Sequence, residues 1–203
     1  MTISSEAFEM RLRALEPRAA IAFMAALTER LLPNYLLYAE LTGAGDAKGI
    51  RVTLDLVWEA LGVREAKIDF ARQAAKLTAI EPDTDADDSF GARIALDACM
   101  ALSSCLEALQ KTSDEAPVEV SRLSAGGVER FIDLREGEAF ADDAALAAHI
   151  AAHELMRDEE DFQQAILENV EQALPLERDR LRELRRLGRN DGVSNLGLTL
   201  DEE

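Results

Sequence analysis

Two cysteines and a 5% share of aromatic residues leave this chain without the usual anchors of small extracellular folds. Cys99 and Cys105 are six residues apart on what reads as one helix, about 240° around its axis, so they cannot pair with each other. Two free thiols suit a reducing cytoplasm. Runs of Val, Ile and Thr are absent. No apolar run approaches the roughly 20 residues that cross a bilayer, and "MTISSEAFEMRLRAL" lacks the basic start and apolar block of a signal peptide. Bases are scarce too: 22 Lys and Arg face 40 Asp and Glu, for a net charge of -18. Such a surface repels phosphate backbones and anionic lipids, which argues against general nucleic-acid binding and against membrane docking. The glycines of "LTGAGDAKG" follow no strand and precede no Lys-Ser/Thr, so no phosphate loop is present. No Gly-x-Ser-x-Gly elbow occurs, and no motif calls for a cofactor.

What remains is mostly alanine, leucine and acid. The hydrophobic share is 48% of 203 residues, enough for a full core and too high for disorder. Ala and Leu are strong helix formers. The expected fold is all-α: a single domain over residues 1–203, a compact bundle of about seven to nine helices with an extended C-terminal tail.

The helices read in order. "SSEAFEMRLRAL" starts at a Ser cap, with Phe8, Leu12 and Leu15 on one side. Pro17 opens a second helix bearing Ala20, Phe23, Met24, Leu27 and Leu31. Pro33 predicts an interruption there, with "PNYLLYAEL" continuing at a new angle to Gly43. Asp46 caps a helix to Leu61 with Ile50, Leu54, Val57 and Leu61 inward. "EAKIDFARQAAKLTAI" gives the next, with Phe70, Ala74 and Leu77 inward. "ARIALDACMALSSCLEALQ" is the least polar stretch and is expected at the centre of the bundle. "APVEVSRLSAGGVERFIDL" is mixed, extended around Val118 and Val120 and helical from Val128. Further helices are expected over residues 142–174, with a possible break near His153, and over 176–187.

The ordered segments "ERLLPNYLLYAELTGAGD", "IDFARQAAKL", "SFGARIALDACMALSSCLEAL", "EVSRLSAGGVERFIDL", "HELMRDEEDFQQ" and "RLGRNDGVSNLGL" together resemble the YjaG-like family of bacterial proteins, a domain of unknown function. The resemblance runs from about Phe8 to Leu198. It implies a compact, cytoplasmic, all-helical protein and transfers no catalytic residue.

Several clusters carry possible chemistry. "DTDADD" places Asp83, Asp85 and Asp87 at the first, third and fifth positions of a calcium loop, but Asp88 and Ile94 stand where Gly and the bidentate Glu belong. The same acids suit a helix start capped by Asp88 or Ser89. His149 and His153, four apart on one helix face, have zinc-ligand spacing, with a third ligand available from Glu154, Asp158 or elsewhere. Against this, Ile150 replaces the Glu of a metalloprotease helix, and a half-exposed pair is the simpler reading. Asp97 lies in the most apolar helix, where a carboxylate needs a partner; Arg93, one turn earlier, is the expected one. Arg178, Arg182, Arg185 and Arg189 share one helix face, either as an anion site or as partners for acids on neighbouring helices. "GRNDGVSNLGL" has strong turn chemistry at Asn190–Gly192, then Leu196, Leu198 and Leu200 at a period of two. It reads as a tail folded back on the bundle, or as a polar site lined by Asn190, Ser194 and Asn195, with Asn34 joining if the two turns meet.

Three functions follow. A non-enzymatic interaction or regulatory protein, with a protein partner or as a homodimer, is favoured by abundant apolar faces and the lack of an assembled catalytic set. A small-ligand binder or enzyme would use a cleft near Asp97 or the Asn190–Asn195 turn. Metal binding would use His149 and His153.

Overall fold

The computed structural model describes residues 5–63, 66–172 and 175–199. Among them are nine α-helices and no strand: α1 Glu6–Arg13, α2 Pro17–Thr42, α3 Ala47–Gly62, α4 Phe70–Thr78, α5 Phe90–Ala108, α6 Ala116–Glu136, α7 Asp143–Ala152, α8 Glu154–Gln172 and α9 Arg178–Arg189. Residues 1–4, 64–65, 173–174 and 200–203 of the sequence reading, Leu200 among them, lie outside the described residues.

The centre of the bundle is α2, not α5. Every residue from Ala19 to Tyr35 is buried, and α2 touches α3, α5, α6, α8 and α9. Five alanines, at 19, 20, 22, 25 and 26, are among these residues, and small side chains let neighbouring helices come close. α5 is its main partner but is one-sided: Ala98, Cys99, Leu102, Cys105 and Leu106 are buried while Met100 faces solvent. Apolarity made α5 look surrounded, because Met100 interrupts the narrow exposed stripe that Arg93 and Glu107 mark with charge.

Pro33 does not interrupt α2. It sits inside an uninterrupted helix with Leu32, Asn34 and Tyr35 buried around it. A proline inside a helix costs about 3 kcal/mol; packing on all sides outweighs it here. α6 is likewise one helix through Gly126 and Gly127, and Val118 and Val120 belong to its buried face. A valine disfavours a helix by well under 1 kcal/mol, which one buried contact exceeds. α4 starts late, at Phe70, because the Asp69 carboxylate accepts from the Arg72 backbone N–H at 2.9 Å and fixes the N-terminus there. The break between α7 and α8 falls at His153, which is extended (φ -70°, ψ 145°).

One buried carboxylate organises the α2, α3 and α9 faces. Glu29 of α2 accepts from Arg51 Nη1 at 2.6 Å and Nη2 at 2.8 Å, from Trp58 Nε1 at 2.9 Å and from Arg185 Nε at 3.0 Å. Arg189 Nε stands 3.6 Å away. Asp55 bonds both Arg51 and Arg185. Arg185 and Arg189 therefore pair with an acid on a neighbouring helix, as expected. Arg182 pairs with exposed Asp179 of its own helix at 3.0 Å, and Arg178 donates to the Gly62 carbonyl at 3.4 Å.

Gly188 makes this arrangement reachable. A Cβ there would lie 2.6 Å from the Ala26 carbonyl oxygen and 3.0 Å from Glu29 Cβ, so α9 rests directly on the α2 backbone. Gly188→Ala is expected to destabilise the protein by about 1–3 kcal/mol through overpacking. Gly62→Ala, with nothing within 4 Å, should be neutral or stabilising by up to about 1 kcal/mol. Urea unfolding of both variants checks the pair; equal effects would mean that α9 does not pack on α2 this closely.

Candidate functional site

A fully buried polar seam runs between α2, α6 and α8. Arg30, next to Glu29 on α2, sends its Nε to Glu159 Oε2 of α8 at 3.1 Å and lies 4.4 Å from the centre of the Phe162 ring. Glu159 Oε1 accepts from Ser124 Oγ at 2.6 Å and from Gln163 Nε2 at 2.7 Å. Ser121 and Gln163 close the seam: Ser121 Oγ donates to Gln163 Oε1 at 2.5 Å, and Gln163 Nε2 donates to the Ser121 carbonyl at 3.1 Å. Each charge meets a charge or a donor, so burial is tolerated. The sequence reading missed this seam. Its only signal is the Glu159/Gln163 spacing on α8 beside an acid–base pair, Glu29–Arg30, in an otherwise apolar helix.

The C-terminal segment docks on the seam. Asn34 Nδ2 donates to Asn195 Oδ1 at 2.9 Å, and Asn195 Nδ2 donates to the Ser124 carbonyl at 3.0 Å. Asn34 Oδ1 is buried without a hydrogen-bond partner. Ser194 shapes the turn: its Oγ accepts from the Leu196 and Leu198 N–H groups at 3.1 and 3.2 Å, and its N–H donates to the Leu198 carbonyl at 2.8 Å. Leu196 drops into a small apolar cluster with Ile94, Val128, Ile132 and Met156. Asn190 stays apart. It takes the left-handed conformation at the end of α9 (φ 45°, ψ 47°) and donates to the Val193 carbonyl at 3.2 Å. Asn190 and Ser194 thus serve the turn, while Asn34 and Asn195 meet in the interior. Asn34 comes from mid-helix rather than from a turn.

Asp97 approaches the same point from α5. It is buried and pairs with Arg130 of α6, not with Arg93, whose Nε donates instead to the Asp88 carbonyl at 3.2 Å. Asp97 is aimed across the α5–α6 contact, out of reach along its own helix. A Cβ on Gly127 would stand 3.5 Å from Asp97 Oδ2, 3.6 Å from Asn195 Nδ2 and 3.9 Å from Arg130 Nη2. The bare glycine is where the three groups converge. Outside them opens a cleft of about 380 Å³ lined by Thr84, Arg93, Leu96, Asp97 and Arg130. Burial raises the Asp97 carboxyl to about 6, against the pull of Arg130.

The other clusters resolve locally. Asp83 Oδ1 accepts from the Asp85 and Ala86 N–H groups at 3.1 and 3.3 Å; Asp87 accepts from the Ser89 N–H at 3.0 Å and the Tyr38 hydroxyl at 3.2 Å. Ser89 caps α5. Both cysteines are buried, and burial pushes the Cys105 thiol up to about 12. His149 Nε2 lies 2.6 Å from Glu136 Oε2, and His153 Nε2 lies 3.4 Å from Glu136 Oε1. The third group beside the histidines is therefore Glu136, from the end of α6, and neither Glu154 nor Asp158.

The raised Asp97 carboxyl gives a pH signature. Protonation favours the folded state, so stability falls as pH rises from the unfolded value near 4 and levels off above about 6. Native protein should lose about 3 kcal/mol relative to Asp97→Asn across that window, roughly half of it above pH 5. Urea unfolding of both proteins between pH 5 and 7.5 measures the difference; a flat difference would mean that burial does not perturb this carboxyl.

Comparison with known proteins places the chain. The family described as "Protein of unknown function (DUF416)" matches residues 7–199. "Uncharacterized protein YjaG" of Escherichia coli (strain K12) is 32% identical over 194 residues, 95% of this chain and 96% of that protein. An "Uncharacterized protein" of Haemophilus influenzae is 32% identical over 191 residues, 93% and 94% of the two chains. The crystal structure of a DUF416 family protein from Shewanella baltica OS155 superposes with a TM-score of 0.87 at 30% identity, covering 95% of this chain and 98% of that one. Sequence and fold agree over almost the whole length: the chain belongs to the DUF416 family.

Proposed function

We propose that this protein is a non-enzymatic regulatory protein that binds a small polar ligand bearing a carboxylate or phosphate in the cleft between α5 and α6. The observation that carries the reading is the Asp97–Arg130 ion pair at the wall of an open cleft. Arg130 neutralises Asp97 with one arm while the rest of its half-exposed guanidinium faces out. Arg93 and Thr84 add a second guanidinium and a hydroxyl to the lining. Two guanidiniums hold an anionic group by charge-assisted hydrogen bonds, and the Asp97 carboxyl takes a donor from the same ligand. In this reading the chain acts as one domain, residues 1–203, and a protein partner or a second copy reads the occupied state.

The supporting context is coarse. No helix among the described residues is long and apolar enough to cross a membrane. Two buried, unpaired thiols suit a reducing cytoplasm, and the net charge of -18 disfavours nucleic acid as the partner.

Inorganic phosphate and succinate, each tested at constant ionic strength, are the probes. At a concentration of about ten times Kd a bound ligand stabilises by roughly 1.4 kcal/mol, a rise in Tm of about 3–5 °C for a chain of this size. Arg93→Ala removes a guanidinium that makes one backbone bond, so it should abolish the rise without unfolding the protein. An equal rise in native and Arg93→Ala protein, or no rise with either probe, overturns the reading.

A further inference from the structure

We propose that Glu136, His149 and His153 form a binding site for a zinc-type divalent cation, separate from the α5–α6 cleft. One ligand atom from each lies within 4.8 Å of the other two. Ligands around a tetrahedral zinc stand roughly 3.3–3.5 Å apart, so shifts of about 1 Å or less close the site. Two imidazoles and one carboxylate are a borderline donor set that suits zinc better than calcium or magnesium. All three side chains are half-buried, which leaves one coordination position for water.

The fold builds this cluster from three helix ends. Glu136 is the last residue of α6, His149 lies in the last turn of α7, and His153 is the break between α7 and α8. The break swings the His153 ring back to 5.6 Å from that of His149, and Phe140 lies 4.6 Å from the His149 ring on another side. α7 buries no side chain, so it contributes little apolar packing, and the Glu136 contacts are its polar tie to α6. A cation there links α6, α7 and α8.

Ligation exchanges bonds: the Nε2 contacts of both histidines with Glu136 give way to the cation, and so does one backbone bond. His153 Nδ1 accepts from the Leu155 N–H at 3.2 Å, which leaves the proton of the neutral ring on Nε2, facing Glu136. Coordination through Nε2 moves that proton to Nδ1 and gives up the Leu155 bond. The Leu155 amide is therefore a reporter for ligation by His153. Competing thiols are absent from the site, since both cysteines are buried elsewhere in α5.

These are the only two histidines in the chain, so their ring signals report the site without ambiguity. The experiment titrates Zn²⁺ into untagged, chelator-stripped full-length protein and follows the imidazole and amide resonances by NMR. Both rings and the Leu155 amide should move together and saturate at one equivalent. Competition with a chromophoric chelator should give a Kd in the micromolar range or tighter, weakened at least tenfold in Glu136→Gln and in the His149→Gln/His153→Gln double variant. Hydrogen exchange across α7 should slow at least tenfold with Zn²⁺. Zinc that binds the acidic surface while leaving either ring unmoved overturns the proposal, as does an unchanged Kd in both variants.

Discussion

The bundle depends on two adjacent, opposite charges in the middle of its most buried helix. Glu29 and Arg30 are neighbours in sequence, so on α2 they point about 100° apart. Glu29 reaches Arg51, Trp58 and Arg185 on one side; Arg30 reaches Glu159 on the other. Moving a lone charge into such an interior costs several kcal/mol, and breaking a buried pair by removing one partner costs about 3–5 kcal/mol. α2 rotated about its axis would strand both groups at once. The buried alanines at 19, 20, 22, 25 and 26 lie on every side of α2, so apolar burial alone does not select one orientation. The charge pair does, and with it the docking of α3 and α9 on one flank and of α6 and α8 on the other.

The candidate cleft inherits its geometry from this frame. Arg30 fixes Glu159, Glu159 takes the Ser124 hydroxyl, and the Ser124 carbonyl holds Asn195. Asn195 then stands beside Asp97 across the surface of Gly127. The chain of hydrogen bonds that begins at the core thus ends at Asn195, which shares the Gly127 surface with the Asp97–Arg130 pair of the cleft wall. The histidine cluster lies at the opposite end of α6 from its proline start, beside α7, a helix with no buried side chain. The first feature is pre-set by packing, while the second sits where the chain has room to adjust.

Much of this architecture was legible in the sequence. Phe8, Leu12, Ile50, Leu54, Val57 and Leu61 face inward as their spacing demands, and Ser5, Asp46 and Ser89 cap the helices that follow them. The break at His153 and the docked leucine at 196 were legible too. Pro33 and the valines of α6 misled because local propensity is worth only a few kcal/mol at most, and burial on several sides exceeds it. The site was harder. Asp97 announces itself as a carboxylate in an apolar helix, but its partner, Arg130, is 33 positions away, and one-turn spacing pointed to Arg93. Glu136 escaped notice because it lies 13 residues from His149, on a different helix. Pairings across helices depend on crossing geometry, which no single helix's period encodes.

The alanine-walled centre of α2 has a final implication for how freely this protein can vary. Where helices approach to the limit set by a methyl group, volume becomes the discriminating property. A leucine at position 22, 25 or 26 would overpack the core at a cost of about 1–3 kcal/mol, despite being fully apolar. Variation at Ala22, Ala25 and Ala26, all fully buried, is therefore confined to very small residues.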